Sequence, residues 1–242
     1  MSPFPPQKIE IVGDRLVVGE GPSDTAFFTF LCQVRDINNF EIRNANGNTG
    51  FKTFLAAAKG TVGSKLKSVI LVADNDETPE DSFQNVRRQI PDDWPHPNRP
   101  FDKAHRPGTP HIVIVMLPFP RIGANSHGCL ESMLLQAAEP TLAAQTACLN
   151  TYSDCIGIGG WNITARDKMR LRCLMSASFP EDPNAGIQYS LKPERGLIPL
   201  THGYFDELVD LLNNFDAWMA SRHSSWADWK ADQAANAAPK AV

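Results

Sequence analysis

The chain has 242 residues, of which 42% are hydrophobic and 21% are charged, and its formal net charge at pH 7 is −4. These values are close to the averages of globular proteins, so they exclude a disordered, collagen-like or coiled-coil chain. No hydrophobic run approaches the roughly 18 residues of a membrane-spanning helix, and the first residues lack the apolar segment of a secretory signal. We therefore expect a soluble cytoplasmic protein that does not bind membranes. Because the chain as a whole is acidic, a nucleic-acid ligand would need a local basic patch or bridging metal ions.

Short apolar runs alternate with amphipathic segments in the first half of the chain. The runs predict strands at 15–19, 40–43, 68–73 and 111–117, and the runs at 68–73 and 111–117 are typical of strands that are covered on both faces. The amphipathic segments predict helices at 22–34, 50–59 and 81–90. Such alternation is typical of an α/β fold, with a mostly parallel sheet flanked by helices.

A proline-rich stretch interrupts this alternation, with six prolines between residues 91 and 110. Proline lacks the backbone N–H that regular hydrogen bonding needs, so we interpret the stretch as a surface insertion without regular structure. Basic residues in and before the insertion could contact a nucleic-acid backbone, although nearby aspartates dilute their charge. They are Arg87, Arg88, Arg99, Lys103 and Arg106.

The second half of the chain has a helical pattern, which predicts helices at 130–138, 140–152, 164–176 and 204–219. We predict a core at 9–138, a helical cap at 139–230 packed on the same domain, and a flexible tail at 231–242 without an apolar face. The five cysteines are scattered and have no C-x-x-C spacing. We therefore expect neither a disulfide framework nor a zinc site, and we interpret most of the cysteines as small hydrophobic residues.

Acidic residues follow the predicted strands. Glu20 directly follows the first strand and precedes Asp24 by four residues, Asp74 and Asp76 follow the strand at 68–73, and Glu131 begins a helix after a glycine-containing turn at 122–129. Ligands of open α/β sheets bind at the carboxyl ends of the strands. Alternate residues of an extended segment point the same way, so Asp74 and Asp76 are expected to bind one cation together. A lone D-x-D would be interpreted as a solvated loop, but acidic residues after two strands favour a site for Mg²⁺ or Mn²⁺.

The order of these residues resembles the Toprim (topoisomerase–primase) domain, with Glu20-Gly-x-x-Asp24 after one strand and Asp74-x-Asp76 after a later one. Gly128-Cys-Leu-Glu131 and Lys168 are similar to later motifs of OLD-family (overcoming lysogenization defect) nucleases and of small standalone Toprim-like proteins. The resemblance covers roughly residues 15–215. The chain departs from the pattern at Gly19, where Toprim strands usually continue with an apolar residue, and it lacks the ATPase half of the OLD nucleases.

The resemblance implies a nuclease that acts on DNA or RNA with about two Mg²⁺ or Mn²⁺ ions, as the effector of a defence or mobile-element system. It implies that Glu20 shares the metal positions or acts as a general acid or base, and that Lys168 neutralises charge on the scissile phosphate. The implied metal ligands are Asp24, Asp74, Asp76 and Glu131. Arg166 and Arg172 are candidate nucleic-acid contacts, of which only Arg172 shares a helix face with Lys168.

Two other functions stay open at this point. A non-catalytic or partner-dependent Toprim module could bind nucleic acid or dock an ATPase partner protein, and a homodimer is also compatible with the sequence. The aromatic set near the C-terminus, which comprises Phe215, Trp218, Trp226 and Trp229, is interpreted as core or as a partner contact rather than as a base-stacking surface. A flavodoxin-like receiver domain also carries acidic residues at strand ends, but it would need a lysine on a following strand. No lysine lies at 111–121.

Overall fold

The computed structural model describes residues 11–47, 49–62, 65–119 and 127–237, without the side chains of 61 and 62. Its strands are β1 (Arg15–Gly19), β2 (Glu41–Asn44), β3 (Ser68–Asp74), β4 (Lys103–Ala104) and β5 (His111–Leu117). They form one sheet in the order β2-β1-β3-β5-β4. All neighbouring pairs are parallel except β4 and β5. The predicted α/β fold with a mostly parallel sheet and flanking helices is confirmed.

The central strands are hydrophobic on both faces because helices cover both sides of the sheet. In β3, Val69 and Leu71 belong to one buried cluster, whereas Ile70 and Val72 belong to another on the opposite face. The helices α2 (Gly50–Val62) and α3 (Pro79–Arg87) contribute to the first cluster, and α1 (Pro22–Val34) contributes to the second. Continuous apolar runs therefore supply both faces, as expected for a doubly covered parallel sheet.

The helices of the second half pack on the same face as α1. They are α4 (Leu130–Ala138), α5 (Ala143–Ile156), α6 (Ile163–Ser178), α7 (Ile187–Ser190), α8 (Asp206–Asn213), α9 (Phe215–Ala220) and α10 (Trp226–Ala237). Residues of α4, α6 and α8 share one hydrophobic cluster with the strands. None of the helices in the described part of the chain is long and apolar enough to cross a membrane.

Two predictions in this region are wrong. The helix predicted at 204–219 is divided at Asn214, whose backbone leaves the helical conformation and whose side chain donates to the Asp210 carbonyl oxygen at 3.0 Å. The flexible tail predicted from 231 is helical as far as Ala237, because α10 is anchored by the buried rings of Trp226 and Trp229, which stack at 4.9 Å. Residues 238–242 of the predicted tail lie outside the described residues.

The proline-rich insertion contains regular structure, so its prediction as a wholly irregular segment is wrong. Residues of β4 pair with β5, and the N–H of Phe101 donates to the Ile114 carbonyl oxygen at 3.0 Å. Lys103 Nζ donates to the carbonyl oxygens of Trp218, at 2.6 Å, and Ser221, at 2.6 Å, at the end of α9. This lysine therefore joins the insertion to the C-terminal helices.

Candidate functional site

The end of β1 places Glu20 and Asp24 at the carboxyl end of the sheet. The Glu20 N–H donates to the Val72 carbonyl oxygen at 3.1 Å, so Glu20 continues the pairing of β1 with β3. Asp24 lies in the first turn of α1, is buried, and accepts a hydrogen bond from the Gly21 N–H at 2.8 Å. A Cβ atom on Gly19 would lie 2.7 Å from that of Asp24. Gly19 therefore allows α1 to approach the strand closely.

Asp74 connects the end of β3 to the helices α4 and α6. Its Oδ1 accepts a hydrogen bond from the Leu130 N–H at 2.8 Å, and its Oδ2 lies 4.0 Å from Lys168 Nζ on α6. The Asp74 side chain is only 18% exposed. The residues of β3, α4 and α6 that the sequence analysis singled out are thus in contact through one carboxylate.

Asp76 does not extend the strand as predicted. Its φ is +50°, in the left-handed region, and its backbone exchanges two hydrogen bonds with Gly128, of 2.7 and 2.9 Å. The exposed Asp76 carboxylate accepts from Thr164 Oγ1 at 3.3 Å. The prediction that Asp74 and Asp76 share one extended segment is therefore wrong, although both residues line the same cleft.

A tight turn brings Cys129 and Glu131 to Asp74. The φ of Gly128 is +118°, and a Cβ atom there would lie 2.5 Å from Ser132 Oγ, so only glycine fits this turn without displacement. Ligand atoms of Asp74, Cys129 and Glu131 lie within 4.8 Å of one another. Two carboxylate oxygens and a thiol sulfur are a donor set that fits a divalent cation. Residues 122–126 of the predicted turn lie outside the described residues.

Three carboxylates of the site are held in an environment that raises their pKa values. Burial, together with the charges of Glu20 and Glu131, raises the pKa of Asp24 to about 7 despite the Gly21 N–H. Burial and the charges of Asp24 and Glu131 also raise the pKa of Asp74 well above its ordinary value. Burial and the charge of Asp76 raise the pKa of Glu20, against the opposing charge of Lys168. The negative charge of the carboxylates is therefore larger than the positive charge that lies beside them.

Lys168 is a cation that the structure brings to these acids. Partial burial lowers the pKa of Lys168, but the charges of Glu131 and Asp74 outweigh it and keep the pKa above its ordinary value. Arg166 instead pairs with the buried Asp167 at 3.2 Å. Arg172 is exposed, and no described hydrogen bond or ion pair joins it to the acidic residues.

The sequence analysis did not single out Cys129 or the buried polar side chains that hold it in place. The Cys129 N–H donates to Ser132 Oγ at 3.2 Å, and that hydroxyl donates to Asp167 at 2.7 Å, so a buried polar chain fixes the start of α4. Burial raises the pKa of the Cys129 thiol, the effect expected of an inert core cysteine. Its position inside the Gly128–Glu131 motif was the available signal, but a free cysteine is usually a small hydrophobic residue.

A cleft of about 450 Å³ opens beside the acidic residues. Glu20, Asp74 and Asp76 line it together with Lys52 and Asn85, which come from α2 and α3. Lys52 was not singled out from the sequence, because a lysine on an exposed helix face is ordinary. The cleft thus offers carboxylates on one wall and a cationic and an amide side chain on another.

Comparison with known families gives one match. Residues 14–222 match the model of the family described as "Protein of unknown function (DUF3226)". No curated protein and no solved structure matches the chain significantly. The matched segment contains every acidic residue of the site and Lys168.

Proposed function

The chain belongs to the DUF3226 family, and we propose that it is a Toprim-like, Mg²⁺- or Mn²⁺-dependent nuclease that hydrolyses phosphodiester bonds of DNA or RNA. The observation that carries the proposal is the convergence of four carboxylates from separate elements. They are Glu20, Asp24, Asp74 and Glu131, and Lys168 opposes them. Such a cluster costs folding free energy unless a cation compensates it.

The side chains suit a divalent cation at the end of β3. Asp74 and Glu131 would hold one ion beside the Cys129 thiol, and the lining carboxylates of Glu20 and Asp76 would serve a second. Bound Mg²⁺ or Mn²⁺ would supply an activated water and charge neutralisation at the phosphoryl oxygens. An ion would also relieve the repulsion that raises the pKa of Asp74.

Two side chains have roles that follow from their own chemistry. Glu20 is half-buried at the cleft, and its raised pKa allows it to hold a proton nearer neutral pH and donate it to the leaving oxygen. Lys168, whose Nζ lies 4.0 Å from Asp74, would stabilise negative charge that develops on the phosphoryl group. Asp74, which accepts the Leu130 N–H and lies beside Lys168, would position the cation and α4.

The nuclease proposal is tested with the full chain, single-stranded and duplex DNA, RNA, and Mg²⁺ or Mn²⁺. We expect metal-dependent cleavage that Asp74→Asn abolishes and that Asp92→Asn, on the exposed part of the proline-rich insertion, leaves unchanged. No cleavage by the wild type on any substrate, or cleavage that survives Asp74→Asn, would contradict it. Binding of nucleic acid without cleavage would instead favour the non-catalytic or partner-dependent module.

A further inference from the structure

One tryptophan of the chain is displayed at the surface. Of the five tryptophans, Trp94, Trp218, Trp226 and Trp229 are at most 6% exposed, whereas Trp161 is 48% exposed. An indole is a large apolar group that normally gains free energy from burial. No ring or cation contact to Trp161 occurs among the described residues. About half of Trp161 is therefore accessible to a ligand.

The backbone holds Trp161 in a defined place. The residue follows the short 3₁₀ turn Ile158–Gly160, its N–H donates to the Ile158 carbonyl oxygen at 2.9 Å, and Ile158 itself is buried. The next residue, Asn162, caps α6 by accepting from the Ala165 N–H at 2.7 Å. The indole is thus carried between an anchored turn and a capped helix, which limits the conformational entropy that binding would cost.

The backbone just before the indole carries no side chains. The preceding residues Gly159 and Gly160 have no heavy atom within 4 Å of the position that a Cβ atom would occupy. The half-exposed indole is a flat apolar ring, and stacking of a base on such a ring is a common contact of proteins that bind single-stranded nucleic acid.

Trp161 lies close to the acidic site along the chain. Three residues later, Thr164 donates from its N–H to Glu77 at 3.1 Å and from its hydroxyl to Asp76 at 3.3 Å. Three residues span at most about 10 Å. This is the length of about three stacked nucleotides at about 3.4 Å each. A strand with a phosphate in the cleft can therefore place a nearby base at Trp161.

We propose that Trp161 is a stacking platform for a base of single-stranded nucleic acid whose backbone enters the acidic cleft. The placement of the phosphate rests on the proposed nuclease function, whereas the stacking contact does not require cleavage. A single strand is favoured because its bases present free faces, whereas the faces of duplex bases are already stacked. DNA and RNA share this chemistry, so oligonucleotides of both kinds are compared.

The four other tryptophans are buried, so the iodide-accessible fluorescence of the full chain reports on Trp161. The protein is titrated with a short oligothymidylate or oligouridylate in Ca²⁺, with a repeat in EDTA. We expect the oligonucleotide to quench the fluorescence and to protect it from iodide. Trp161→Ala should weaken binding about 5- to 100-fold, and Trp161→Phe should retain most of the affinity. Ile156→Ala removes an exposed aliphatic side chain that cannot stack and is the matched control.

An oligonucleotide with abasic positions separates stacking from backbone contacts. Wild type should lose as much affinity for the abasic strand as Trp161→Ala loses for the normal strand, and the two changes together should add little. Equal binding by wild type and Trp161→Ala, or unchanged iodide quenching with bound oligonucleotide, overturns the stacking proposal even if the chain cleaves DNA. Stacking without cleavage under any metal supports this proposal and contradicts the nuclease function alone.

Discussion

The N–H of Leu130 donates to Asp74 Oδ1, so the beginning of α4 is attached to the end of β3 by a 2.8 Å hydrogen bond. Asp74→Asn keeps an oxygen acceptor and removes the charge. We expect this variant to fold with equal or higher thermal stability in EDTA, and to lose the stabilisation that Mn²⁺ gives the wild type. Thermal unfolding with and without Mn²⁺ measures both effects. Equal Mn²⁺ stabilisation of both proteins would exclude Asp74 as a ligand.

Asp24 should make the metal-free protein less stable as pH rises. Its pKa is raised from 3.8 to about 7, so the folded state retains a proton that the unfolded chain releases. The free energy of unfolding should therefore decrease between about pH 4 and 7, by at most about 4 kcal/mol from this group. Chemical denaturation across this range in EDTA tests the slope. In Asp24→Asn the slope should be smaller, and an unchanged slope would show that Asp24 is not its source.

Gly19 should be intolerant of even a methyl group. In Gly19→Ala the new Cβ atom would lie 2.7 Å from that of Asp24, so α1 must move away from β1. We expect a loss of about 1–3 kcal/mol in the free energy of unfolding, measured by urea denaturation. Gly159→Ala, where nothing lies within 4 Å, is the matched control and should change stability by less than about 0.5 kcal/mol. A neutral Gly19→Ala would mean that the strand–helix approach is not close.

Cys129 should favour thiophilic metals at the site. Its sulfur lies within 4.8 Å of carboxylate oxygens of Asp74 and Glu131, and thiolate ligands prefer Co²⁺ or Zn²⁺ to Mg²⁺. In Cys129→Ser we expect about tenfold weaker Co²⁺ binding with little change for Mg²⁺. The ultraviolet thiolate-to-Co²⁺ absorption band gives a direct readout, and Cys148→Ser on the exposed face of α5 is the control. A band that persists in Cys129→Ser would place the metal elsewhere.

Lys168 should contribute more to the rate of cleavage than Arg172. Of these two residues, Lys168 is the one that contacts the acidic residues, so Lys168→Met should lower the rate of cleavage about 10²- to 10³-fold with little loss of stability. Arg172→Gln should change the rate less than about threefold, because Arg172 is exposed. Initial rates at saturating metal measure both variants. Equal losses would indicate a general phosphate-binding face on α6.

The sheet could be predicted because the apolar pattern of each central strand is contained in a short stretch of sequence. Continuous apolar runs specify β3 and β5, and their burial on both faces gives the parallel arrangement. The same reasoning places Glu20 and Asp74 at the same end of the sheet, since the carboxyl ends of parallel strands lie there. Strand boundaries at 15–19 and 111–117 coincide with those of β1 and β5.

The remaining features depend on contacts between distant segments. The left-handed backbone of Asp76 is fixed by Gly128, and the role of Cys129 depends on a turn that follows another strand. The break at Asn214 is an exception, because it reflects a local side-chain hydrogen bond that competes with the helix. Exposure of Trp161 could not be read from its neighbours in sequence, because glycines indicate a turn but not which faces other elements cover.

The contact between the proline-rich insertion and the segment before α10 also covers the edge of the sheet at β4. The N–H of Lys103 donates to the Ser224 carbonyl oxygen at 2.7 Å, and the N–H of Trp226 donates to the Phe101 carbonyl oxygen at 3.0 Å. An uncovered edge strand is a template for pairing with other chains. Here the segment before α10 occupies the hydrogen-bonding groups beside β4, so this border of the sheet is closed to intermolecular strand addition by the protein's own backbone.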